Sequence, residues 1–166
     1  MNEPSQMRYG VVSHEDVAGM NGLEILQAML ERRFPAPPIM KTLAFNLTEV
    51  GEGYSRFVGQ PRYDFYNPLG TVHGGWIATL LDSALGCAVH SSLAAGETYT
   101  TLEFKVNCTR PVFDTTGELV CEGRLVHRGR RTATAEATLK DDAGRLYAHA
   151  SETCMILPVP APAAKT

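Results

Sequence analysis

Residues 73–93, HGGWIATLLDSALGCAVHSSL, constrain the fold more than any other stretch of the chain. Between Trp76 and Val89 the apolar positions Trp76, Ile77, Ala78, Leu80, Leu81, Ala84, Leu85, Cys87, Ala88 and Val89 cover most of a helix circumference. A helix that is apolar on nearly every side must be enclosed by other elements rather than lie on a surface. In its middle stands Asp82, whose helical neighbours three and four positions away are Thr79, Leu85, Ala78 and Gly86, none of them basic. No local ion pair offsets that charge. An unpaired carboxylate in apolar surroundings is costly, or it takes up a proton. Two readings stand at this point: a carboxylate that reaches solvent or a distant partner, and one placed for chemistry.

The rest of the chain supplies what could enclose such a helix. NGLEILQAMLERRF (21–34) predicts an amphipathic helix, with Leu23, Leu26, Leu30 and Phe34 at helical spacing, Asn21 as cap and PAPP as terminator. MKTLAFNLTEV and YSRFVGQP read as strands joined by a GEG turn, and RYDFYNPLGTV as a loop into the long helix. TYTTLEFKVNCTRP alternates: Leu102, Phe104, Val106 and Cys108 share one face, Glu103, Lys105 and Asn107 the other. Unbroken alternation puts Thr100 on the helix side and Thr101 away from it. GELVCEGRLVHRG and RRTATAEATLKD predict a hairpin across Gly129, and DDAG turns into a last strand, RLYAHASETCMIL. Ala133, Ala135 and Ala137 share a strand face, and Ala148 and Ala150 repeat the pattern, which lets a helix sit close. The expected fold is α+β: strand, strand, long helix, then four strands in meander order, the sheet curled around the helix. One domain is expected over 21–157, with a lead-in over 1–20 and a Pro/Ala-rich tail over 158–166.

Charge and composition remove several function classes. A net charge of -3, with no basic run, argues against nucleic acid as partner. No apolar run reaches the ~18 residues that cross a membrane, and the amino terminus has no secretory pattern. The four cysteines (Cys87, Cys108, Cys121, Cys154) form no C-x-x-C pair. They read as reduced thiols of a cytoplasmic protein, and no ligand cluster predicts a metal.

His73-Gly74-Gly75 opens the long helix. Free backbone N–H groups gather there at the positive end of the helix dipole, and glycine lets a ligand approach the backbone closely. Such an end can polarise a carbonyl oxygen; the alternative is that the glycines serve only close packing. Gly74 and Asp82 stand about 12 Å apart along a regular helix. A reacting carbon must lie within roughly 3–4 Å of both its attacker and its oxygen's stabiliser. One helix cannot easily bring both groups to one carbonyl, whereas two helices related by a two-fold axis can, with two equivalent sites.

The stretches NPLGTVHGGWIATLLDSALGCAV and TYTTLEFKVNCTRPV resemble the hotdog-fold thioesterases, specifically the phenylacetyl-CoA thioesterase (PaaI-like) group. The distinctive element is N-x-x-G-x-x-H-G-G followed by an aspartate eight residues beyond the first helix-start glycine, and the similarity spans roughly 22–156. The resemblance implies a hotdog fold, a curled antiparallel sheet around a long central helix. It implies active sites at a homodimer interface, often within a dimer of dimers. Its acid matches Asp82 as general base or nucleophile, its polarising glycine matches Gly74, and Gly75 beside it is a candidate substrate-binding position. Asn67 and His73 match loop residues lining the site, and Thr100 a hydroxyl that positions water. The implied reaction turns an acyl-CoA and water into a carboxylic acid and CoA, with no cofactor, since CoA is part of the substrate. Its phosphates call for basic groups, for which Arg110, Arg128, Arg130 and Arg131 are candidates unless they are only solvated turn charges. Phe65, Tyr66 and Trp76 are candidates for the acyl pocket. The competing readings are a non-catalytic acyl-CoA binding or sensing protein, and a hotdog acyl dehydratase, whose loop and helix pattern is absent.

Overall fold

The protein is described by a computed structural model over residues 7–159. The first part of the expected lead-in (1–6) and most of the expected tail (160–166) lie outside the described residues. Helix α1 spans Gly22–Leu30. Its start follows the sequence: Glu24 N–H donates to Asn21 Oδ1 (2.9 Å), and Asn21 N–H to Glu24 Oε2 (2.8 Å), a reciprocal capping box. It ends well before Phe34 because Arg32 turns the chain at φ 62°, and the Arg33 and Phe34 amides fold back onto the Ala28 carbonyl. Pro38 then opens a short helix, α2, over Pro38–Thr42. Proline is well suited to a first helical turn. Met40, Lys41 and Thr42 are therefore helical, where the sequence predicts strand, and β1 begins at Phe45.

The strands are β1 (Phe45–Gly51), β2 (Tyr54–Gly59), β3 (Glu97–Cys108), β4 (Leu119–Arg128), β5 (Thr132–Lys140) and β6 (Leu146–Pro158). The long helix α3 (Gly74–His90) separates β2 from β3. The sheet order is β1-β2-β4-β5-β6-β3, and every neighbouring pair is antiparallel. The last three strands form the expected meander. β3 does not lead it: it lies at the far edge, paired with β6. The cause is α3, which crosses the sheet to be enclosed by it, so the strand that follows emerges on the other side.

A row of small residues makes room for α3. Ser55, Gly123, Ala137 and Ala150 are successive register partners across β2, β4, β5 and β6. Above them Ala84 and Leu85 are fully buried, and the Ser55 hydroxyl donates to the Ala84 carbonyl (2.7 Å). A Cβ on Gly123 would stand 2.2 Å from that same carbonyl oxygen. Backbone cannot yield to it without lifting the helix. Gly123→Ala is expected to cost about 3 kcal/mol of stability, in the upper range for overpacking. The measurement is a urea unfolding midpoint; an unchanged midpoint contradicts the close approach.

Candidate active site

The loop before α3 aims the helix start. Asn67 organises it: its side-chain oxygen accepts the Leu69 (2.9 Å) and Thr71 (3.3 Å) amides, and its amide nitrogen donates to Thr71 Oγ1 (2.9 Å). The carbonyl end of Asn67 is thus taken up inside its own loop. His73 N–H donates to the Phe65 carbonyl (2.7 Å), and the His73 ring caps the helix, with Nδ1 accepting the Gly75 N–H (2.8 Å). In this cap Nδ1 acts as the acceptor.

The cap separates the two glycines. The Gly75 amide is spent on His73, so of this candidate substrate-binding position the N–H is already taken. The Gly74 amide has no partner among the described residues, and a Cβ at Gly74 would meet nothing within 4 Å. Gly74 opens onto a groove of about 350 Å³ lined by Asn67, Gly74, Ile77, Cys108, Arg110 and Val112. Nearby, Phe65 stacks on the buried Trp76 (centroids 6.0 Å apart).

The four candidate arginines do not gather. Arg110 lines the groove, just beyond the end of β3. Arg128 pairs with Glu97 (2.6 Å) at the start of β3, and Arg130 and Arg131 are exposed in the adjacent hairpin turn. Those two ends of β3 lie on the order of 35 Å apart at 3.3 Å per residue.

Asp82 sits half-buried on a continuous α3, so its separation from Gly74 along the helix holds. Burial raises its carboxyl above the ordinary value. The strand beneath it follows from contacts at the two helix ends. His90 packs on the Tyr99 ring (5.7 Å), whereas Ile77 and Gly74 share the groove with Cys108. α3 and β3 therefore run in opposite directions, and Asp82 lies over the middle of β3 and its partner β6. Its negative charge is felt there: it helps raise Tyr99, Glu152, Cys154 and Cys87, the last, raised mainly by burial, to about 12.

The strand alternation that selects Thr100 fails at this level. Thr101 pairs with Cys154 but Glu103 with Thr153, so Leu102 is an extra residue, a β-bulge. Beyond it, Phe104, Val106 and Cys108 stand opposite Glu152, Ala150 and Ala148, on the helix side as expected. Before it the phase is reversed. Tyr99 and Thr101 stand opposite Ile156 and Cys154 on the helix side, while Thr100 is exposed on the outer face. The hydroxyl on the helix side is therefore that of Thr101, not the Thr100 hydroxyl that unbroken alternation predicts.

Thr101 Oγ1 is hydrogen bonded to Glu152 Oε1 at 2.6 Å. Glu152 does not figure among the sequence candidates, although its signal is there. In RLYAHASETCMIL it occupies the apolar parity of Ala148, Ala150, Cys154 and Ile156, and it is only 2% exposed. Burial is the main cause that raises its carboxyl above the ordinary value.

A Thioesterase superfamily profile matches residues 69–148. The phenylacetic acid degradation-related protein of Ralstonia eutropha JMP134 is 30% identical, over 78% of this chain and 97% of that one, with a TM-score of 0.71. A thioesterase family protein of Silicibacter pomeroyi is 26% identical, over 80% of this chain and 98% of that one, with a TM-score of 0.71. The PaaI protein from the phenylacetic acid degradation operon of E. coli shares the fold, with 18% identity, a TM-score of 0.71, and coverage of 84% of this chain and 95% of that one. No curated protein sequence matches significantly. The enclosed helix, the curled antiparallel sheet and these likenesses agree: the chain belongs to the thioesterase superfamily and is a hotdog-fold thioester hydrolase of the PaaI-like group.

Proposed function

We propose that this enzyme hydrolyses acyl-CoA thioesters at a site shared by two protomers. Asp82 of one and the Gly74 N–H of the other act on the same carbonyl. The observation that carries this reading is the pairing of a free Gly74 amide, opening on a groove that contains Arg110, with a half-buried acid too far along the same helix to reach it. β3 lies at the sheet edge with Leu102 52% and Phe104 39% exposed, apolar surface that suits strand-to-strand pairing with a second copy. Antiparallel pairing there sets the Arg128–Arg131 turn of one protomer beside the groove of the other. That arrangement supplies two sources of phosphate contact.

In this mechanism the Gly74 N–H stabilises the negative charge on the thioester oxygen. Asp82 takes a proton from the attacking water, the C–S bond breaks, and the thiolate leaves with that proton as CoA thiol. Direct attack by Asp82, followed by hydrolysis of a mixed anhydride, uses the same geometry. Arylacetyl-CoA is the first substrate class to test, given the degradation pathway named for the similar proteins of Ralstonia eutropha and E. coli. The assay is thiol release from a panel of aryl, short-chain and medium-chain acyl-CoAs. Release from at least one member is expected; tight binding without release from any rejects catalysis in favour of sensing.

The raised Asp82 carboxyl sets the pH dependence. Only the ionised form accepts a proton, so kcat falls as pH drops through that raised pKa. The acid limb should lie above the ordinary carboxylate range. A pH–kcat profile flat down to the ordinary aspartate range contradicts the role of Asp82.

A further inference from the structure

We propose that Glu152 is a positioning residue of the site: as a neutral carboxylic acid it donates its proton to Thr101 Oγ1 and so frees the Thr101 hydroxyl hydrogen for the reacting groups. The proposal deepens the thioesterase reading and rests on it for the role of Thr101.

The argument is one of hydrogen-bond accounting. Glu152 Oε1 has two hydrogen-bond neighbours, Thr101 Oγ1 at 2.6 Å and Cys154 Sγ at 3.0 Å, whereas Oε2 is buried and has no partner among the described residues. A buried carboxylate with one bare oxygen leaves charge unsatisfied, which costs far more than a bare carbonyl oxygen. A neutral acid removes the difficulty if its proton sits on Oε1, because Oε2 is then the carbonyl oxygen. The proton on Oε1 points at Thr101, at a distance suited to O–H···O.

The surroundings favour the neutral form. Thr101 of β3 and Cys154 of its own strand touch Glu152 Oε1, Ala135 stands opposite on β5, and Asp82 and Cys87 of α3 and Tyr99 of β3 lie within electrostatic reach. Glu103 of β3 adds a further acid within electrostatic reach. Any charge these groups can carry is negative. Two carboxyls sharing such a space do not both ionise easily; one keeps its proton. Asp82 is the more open of the two, so the proton stays on Glu152, which is 2% exposed.

The consequence for Thr101 is directional. A hydroxyl has one hydrogen. If that hydrogen were spent on a Glu152 carboxylate, the oxygen could only accept from the site. With Glu152 as donor, Thr101 offers its hydrogen toward the space beneath Asp82, where a water or acyl oxygen accepts it.

Two variants and one spectrum test this. Glu152→Gln keeps a donor toward Thr101 and cannot ionise. Its kcat should stay within about three-fold of wild type at neutral pH, and it should lose any alkaline decline that arises from ionisation of Glu152. Glu152→Leu has no donor, and its kcat should fall roughly ten-fold with KM nearly unchanged. Thr101→Val should lose a similar factor, and the Thr101→Val/Glu152→Leu double variant no more than Thr101→Val alone. In the infrared, wild type at neutral pH should show a protonated-carboxyl band that Glu152→Gln lacks. Identical spectra, a Gln variant as impaired as the Leu variant, or additive losses in the double variant overturn the proposal. The band needs no turnover. A wild type that shows it and hydrolyses no thioester refutes the functional reading while leaving the proton assignment intact.

Discussion

Asp82→Asn is expected to remain folded and to lose roughly 100- to 10,000-fold in kcat, the range for a group that moves a proton in the transition state. The amide keeps the size of the carboxyl and cannot take a proton from water. The variant should also be at least as stable as wild type at neutral pH, and the sign can be worked out. The Asp82 carboxyl is raised by burial in the folded state, so the native protein holds this proton more tightly than the unfolded chain. Above the unfolded value the group therefore opposes folding, increasingly up to the folded value. A neutral Asn removes that opposition. Thermal unfolding of both proteins at neutral and acidic pH checks this: any advantage of the Asn variant should shrink as Asp82 itself takes up a proton. A loss of kcat together with a large loss of stability would mean that Asp82 is a structural residue.

Gly74→Pro should be nearly as damaging to catalysis, for a different reason. Gly74 is the first residue of α3, and proline is favoured there because the N–H it removes has no partner within the helix. The preceding residue already suits it, since His73 has the extended conformation (φ -61°, ψ 137°) that a following proline requires. The Cβ of the new side chain is unobstructed as well, with nothing within 4 Å of it. The substitution thus deletes one donor and leaves the fold alone, and kcat should fall roughly 100- to 1,000-fold. Mixing then asks which chains build the site. In a dimer that pairs Asp82→Asn with Gly74→Pro, one of the two shared sites holds both native groups. Unfolding and refolding an equal mixture should restore about a quarter of wild-type activity, since about half of the dimers are mixed and each has one competent site of two. No restoration from two well-folded, re-associated partners rules out a site shared in this way.

What the sequence made legible was what a single helix determines. The apolar circumference of α3 announces an enclosed helix, and Asp82 and Gly74 sit on it at a spacing that fixes their separation. Local hydrogen bonding was harder to read. Asn67 and Gly75 look free in the sequence, but the Asn67 side-chain oxygen is taken by the Leu69 and Thr71 amides and the Gly75 N–H by His73. Strand alternation failed at Leu102 because a bulge has no composition of its own; the reversal appears only in the register with β6. The edge position of β3 is equally nonlocal, set by where α3 leaves the sheet. Glu152 was the most readable of the unread residues, a lone acid on the apolar parity of its strand.

The extra residue at Leu102 also bears on the company this protein keeps. A long, open strand edge invites indiscriminate zippering with any extended chain. A bulge bends the strand and interrupts its regular hydrogen-bond rhythm. A straight foreign strand could then follow the rim of the sheet only as far as the kink. A second molecule carrying the same kink in the opposite sense could continue past it, so one irregularity would both discourage aggregation and favour self-recognition.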